Sequence, residues 1–135
     1  MLPRLYREAP LNGIWEGSGN VICLDVLRAI GKVPQSLDIY FHEVELAAGE
    51  SSELDRQVLQ LKEIFQRREA SPYKARFITE QMAICLQASL LIRSGDPAVR
   101  DGFLRSRLSG NHGHAYGTLD RQVDCLAIIQ RSWPM

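Results

Sequence analysis

Apolar residues in this chain recur at three- and four-residue intervals and never in alternation, which is the period of helices packed on one side. Residues 2 to 8 read as a short helix, or the tail of a longer one, ended by Pro10. The next helix, about Asn20 to Ile30, carries Val21, Ile22, Leu24, Val26, Leu27 and Ile30 around most of its circumference. A helix that apolar is expected to be buried from several sides. Ser18 or Asn20 would cap its start, and Gly31 stands where a left-handed residue would end it. Pro34 opens a third helix, 34 to 48, with Leu37, Tyr40, Phe41, Val44 and Ala48 on one stripe and Gly49 as its stop. A fourth begins near Ser52, where Ser52 and Asp55 resemble a capping box. Its inward stripe is Leu54, Val58, Leu61 and Phe65, widened by Leu59 and Ile64.

Ser71 and Pro72 restart the chain into its longest helix, Pro72 to Ser94, about 34 Å at the α-helical rise. The half from Met82 to Ile92 is almost wholly apolar and predicts the centre of a bundle. Gly95, Asp96 and Pro97 form a stop, a cap and a new first residue, and a helix from 97 to 108 places Val99, Phe103 and Leu104 inward. Gly110 ends it and a glycine-rich loop, 110 to 118, follows. A last helix at about 120 to 131 carries Val123, Leu126, Ala127 and Ile129. With no strand pattern anywhere, the predicted fold is all-α: an antiparallel four-helix bundle with additional short helices.

At 135 residues, 45 % hydrophobic and 24 % charged, the chain has the composition and length of one globular domain, 1–135. Lys and Arg balance Asp and Glu, 16 against 16, so bulk charge gives no argument for nucleic acid or an anionic membrane. The distribution is uneven: 34 to 55 is acidic without Lys or Arg, and arginines outnumber acids from Pro97 onward. Cys23, Cys85 and Cys125 are far apart in apolar helical patterns, which argues against a disulfide framework or a zinc site and for buried thiols in a reducing cytoplasm. No signal peptide opens the chain, and no apolar run reaches the roughly 20 residues of a membrane span.

Candidate chemistry gathers in residues 6 to 28. One carboxylate, Glu16, follows Trp15 and precedes Gly17, Ser18, Gly19 and Asn20, just before a helix start. Gly17 and Gly19 allow close backbone approach, and the first helical N–H groups have no intrahelical partner. A carboxylate against an aromatic ring in a dry pocket is raised toward a general base's working range; the alternative is an exposed loop glutamate. His112 and His114 are too few for a metal centre, since no nearby carboxylate or cysteine completes the set. Ser18, Ser109 and Ser132 have no recognisable histidine partner. Arg100, Arg105 and Arg107 could line one helix edge and meet phosphate, or be ordinary solvated residues.

The segment APLNGIWEGSGNV resembles the Ile-Tyr/Trp-Glu-Gly-Thr/Ser segment of the acyl-CoA dehydrogenases, which there opens a helix of the C-terminal four-helix domain. YREAPLNGIWEGSGNVICLDVLRA, RFITEQMAICLQASLLIRSGDPAV, the late SRLSG and AYGTL are similar to the AidB-type branch, the adaptive-response, DNA-alkylation-associated relatives. The resemblance runs over essentially the whole chain. It implies that Glu16 is the base taking the α-proton of an acyl thioester, that the backbone of Gly17, Ser18 and Gly19 approaches FAD, and that Trp15 walls the substrate cavity.

Members of that family are several hundred residues long, with an N-terminal helical domain and a β-domain that hold most of the flavin site. The chain is therefore expected to be a fragment, or one part of a complex, and inactive alone. Three functions follow: a catalytic-loop segment (10–20) and bundle (20–135) of an FAD-dependent oxidoreductase; a non-catalytic module pairing with its own copy through the apolar helix 20–30; or a DNA-binding helical domain, against which zero net charge weighs.

Overall fold

The computed structural model describes residues 2–14, 18–110, 117 and 119–133, with backbone alone at 2 and 12. Every regular element among them is helical: α1 (Leu2–Glu8), a 3₁₀ turn (Ala9–Gly13), α2 (Gly19–Lys32), α3 (Gln35–Glu45), α4 (Ser52–Gln66), a 3₁₀ turn (Pro72–Lys74), α5 (Ala75–Ser94), α6 (Pro97–Arg107) and α7 (Cys125–Ser132). The all-α class is the one the period of the sequence predicts. Helix α5 is the hub: α2, α3, α4 and α6 all pack on it, and α7 packs on α6.

Caps decide where the helices begin. Ser51, not Ser52, caps α4, its hydroxyl accepting from the Leu54 N–H at 3.3 Å. Asp55 reaches back past the cap, and its carboxylate accepts from the Gly49 N–H at 3.2 Å, holding the turn before α4. Asp96 caps α6 through the Val99 N–H at 3.1 Å, and Gly95, at φ +79°, ends α5 in the left-handed region. Asp124 caps α7 through Ala127, so the last helix starts at Cys125, later than the expected 120.

The core is Phe41 and Val44 of α3, Leu54, Val58 and Leu61 of α4, and Ile78, Met82, Cys85 and Ala88 of α5. Leu61 and Ile78 are wholly shielded, each worth about 2 kcal/mol of transfer free energy. Polar latches fix α3 on α5: the Tyr40 hydroxyl donates to the Met82 carbonyl at 2.8 Å, and Arg93 pairs with Glu43. Lys62 pairs with Glu45 and stands over the Phe41 ring at 5.3 Å. Gly102 is buried because α7 crosses α6 there; a Cβ on it would lie 3.0 Å from Ile128 Cδ1.

Three further expectations are corrected. Helix α2 buries Cys23 and half-buries Val26, Leu27 and Ile30; Val21, Ile22 and Leu24 remain exposed, because among the described elements α5 and α3 are the ones that chiefly pack against it. Gly31 lies inside α2, which continues to Lys32, and carries no positive φ. Helix α3 ends at Glu45, and the following turn brings Ala47 rather than Ala48 into the core.

Among the exposed apolar side chains are Tyr6, Leu11, Ile14, Val21 and Leu24 at the start of the chain.

Candidate functional site

The site is built where α2 begins. The Ile14 N–H donates to the Leu11 carbonyl at 3.0 Å and closes the 3₁₀ turn. Trp15, Glu16 and Gly17 lie outside the described residues. Ser18 has extended backbone (φ −68°, ψ 158°) and occupies the N-cap position, with its carbonyl accepting from the Ile22 N–H at 3.1 Å. Its hydroxyl makes no cap bond, so no side chain of the cap answers the first N–H groups of α2.

Arg76, in the first turn of α5, lies across this helix start. Its Nε donates to Asn20 Oδ1 at 2.9 Å. A Cβ on Gly19 would stand 3.3 Å from Arg76 Nη2 and 3.6 Å from Nη1. The guanidinium and the positive end of the α2 dipole thus face the same space, which is an arrangement that favours a negatively charged group. Ser18 and Gly19, two of the residues singled out by sequence, are brought together with Arg76, which was not. Nothing in the local run PYKARF marks Arg76; only the packing of α5 on α2 brings it to the turn.

The remaining candidates are placed as follows. His112 and His114 lie outside the described residues, as do 115, 116 and 118 of the AYGTL segment. Among the described residues no three His, Cys, Asp or Glu side chains are grouped to hold a metal ion. Cys23 and Cys85 are buried as expected, whereas Cys125 is exposed on α7, where Ile128, with Val123 of the preceding turn, packs on α6 instead. Burial pushes the Cys85 thiol up to about 12, so it is no nucleophile at neutral pH. Arg100 pairs with Asp101 at 2.7 Å and Arg105 with Asp120 at 3.6 Å, so both have carboxylate partners in place of phosphate. No helix among the described residues is long and apolar enough to cross a membrane.

The described elements, all helical, with Ser18 and Gly19 opening an apolar helix docked on the longest one, are consistent with the C-terminal domain class of the acyl-CoA dehydrogenases. Comparison with known proteins gives the particular relative. Over 112 residues, 83 % of its length, the chain is 34 % identical to "Putative acyl-CoA dehydrogenase AidB" of Escherichia coli (strain K12). The chain is thus similar over most of its length to one part of that protein, and it spans 20 % of the length of that curated relative. No family model matches the chain, and no solved structure matches it.

Proposed function

We propose that the chain is a C-terminal helical domain, 1–135, of an FAD-dependent acyl-CoA dehydrogenase-like protein of AidB type. It contributes the catalytic base and is inactive without the domains that complete the flavin site. The observation that carries this reading is the identity across 83 % of the chain to a relative of which it makes up one fifth. Glu16 is the base: its carboxylate takes the α-proton of an acyl thioester as the β-hydrogen departs with its electron pair and the Cα–Cβ double bond forms. Trp15 walls the thioester cavity and keeps water from the carboxylate.

The donor set at the start of α2 fits a phosphate-bearing cofactor. Uncapped N–H groups after Ser18, the bare Cα of Gly19 and the Arg76 guanidinium all favour an anion there. FAD, when bound, supplies the two-electron acceptor for the departing hydride. The test is flavin titration of the chain mixed with the part of the AidB relative outside the matched 112 residues. Flavin fluorescence quenched only in the mixture supports the reading, and no binding in the mixture defeats it.

A second reading is favoured by one observation. Val21 (49 %), Ile22 (41 %) and Leu24 (44 %) are exposed on a helix of otherwise apolar sequence, and that side suits pairing of α2 with a second copy of itself. Sedimentation giving a monomer at every concentration would remove it.

A further inference from the structure

Helices α5, α6 and α7 border a groove of about 510 Å³. Small-molecule sites in proteins run from about 300 to 1000 Å³, so the volume suits a ligand of that kind. Counted outward from the turn at Gly95 and Asp96, Gln87 of α5 and Val99 of α6 come first, Ile84 and Phe103 next, and Glu80 and Arg107 last. The groove is therefore apolar in its middle, with a carboxylate on one wall and a guanidinium on the other at the end away from the turn. Ile128 of α7 adds a third apolar wall.

Glu80 and Arg107 do not pair with each other, and neither has a hydrogen-bond or ion-pair partner among the described residues. The other two arginines of α6 do have partners, Arg100 in Asp101 and Arg105 in Asp120. Two long side chains of opposite sign thus line one groove with their charges unspent. That pattern selects among ligands. An apolar acid would be attracted by Arg107 and opposed by Glu80, and an apolar amine would meet the reverse. A molecule carrying both charges and an apolar group on one carbon answers both walls and the middle together.

We propose that the α5–α6–α7 groove binds a free α-amino acid with a large apolar side chain. Its carboxylate accepts from the Arg107 guanidinium, its ammonium donates to the Glu80 carboxylate, and its side chain lies on Ile84, Phe103 and Ile128. Phe103 is half-buried, so one part of its ring remains open to an edge-to-face contact, which favours an aromatic side chain. A small or charged side chain would leave the apolar middle unfilled. The site uses neither Glu16 nor the start of α2, and it holds or fails independently of flavin binding and of α2 pairing.

The test is titration of the isotope-labelled whole chain with L-phenylalanine, followed by backbone amide chemical shifts. Saturable shifts are expected at Ile84, Phe103 and Ile128, with Val44 and Leu61 of the core unmoved. Phenylpropionate lacks the ammonium and phenethylamine lacks the carboxylate. Each should bind at least about tenfold more weakly, as loss of a charge-assisted hydrogen bond does. Glu80→Gln and Arg107→Gln should each weaken L-phenylalanine by the same factor. Both side chains are exposed, so the two variants should unfold at the parent's midpoint. No saturable shift, parent affinity in either variant, or phenylpropionate binding as tightly as the amino acid would each overturn the assignment.

Discussion

Arg76 donates from Nε to the side-chain carbonyl of Asn20 at 2.9 Å, joining residues 56 positions apart and pinning the first turn of α2 to the first turn of α5. The start of α2 is therefore held by the hub helix. A guanidinium at a helix N-terminus is opposed by the dipole, so the hydrogen bond to Asn20 has to hold it there. An anion between the two would relieve that opposition.

Arg76→Ala should lower stability by about 1 kcal/mol, the usual net value of one hydrogen bond, tempered here by exposure. Arg76→Lys keeps the charge but not the Nε–H, and should recover less than half of the loss. Urea unfolding of the two variants decides this. Equal midpoints for Arg76→Ala and the parent chain would mean that the tether holds nothing.

Gly102→Val should detach α7 from α6. A Cβ there already meets Ile128 Cδ1 at 3.0 Å and Val123 Cγ1 at 3.3 Å, and two further methyl groups have no room. The expected cost is about 1–3 kcal/mol, as for other overpacked sites. Amide exchange should rise through 125–132 while the protection of α4 and α5 stays as it was.

Stability should fall on the alkaline side. Burial pushes the Cys85 thiol up to about 12, and burial first, then the charge of Cys85, raises the Tyr40 hydroxyl. In the unfolded chain these groups release their protons near about 8.5 and 10. Their contribution is thus complete below pH 8 and is lost as pH rises, because the unfolded state gives up its protons first. The unfolding free energy should begin to drop near pH 9, with a slope of about 1.4 kcal/mol per pH unit for one proton, and the thermal midpoint should fall with it. In Cys85→Ala the drop should start nearer pH 10. A thiol reagent at neutral pH should modify Cys125 at once, and Cys23 and Cys85 only as the chain unfolds.

Sequence period alone reveals the helices that bury a stripe. The stripe of Leu54, Val58 and Leu61 and the apolar half of α5 form the core as their spacing requires. Exact ends are less legible, because Ser51 and Ser52 are equally good caps in sequence and only the chain entering α4 selects Ser51. The exposed side of α2 is not legible either: apolar content says that a helix wants cover, and only the packing says how much it has. Arg76 is invisible to any local pattern, since its partner lies across the domain. Glu16 is legible only through the motif around it, because a single glutamate beside a glycine carries no chemical signature of its own.

The central claim, that Glu16 is the base, is tested by exchange of the α-proton of an acyl thioester with deuterated water, using the chain mixed with the remainder of the AidB relative and FAD. The account predicts exchange in the mixture and a loss of at least about 100-fold in Glu16→Gln, the usual span for removing a general base, with flavin binding unchanged. Exchange at the same rate in Glu16→Gln would contradict it and place the base elsewhere.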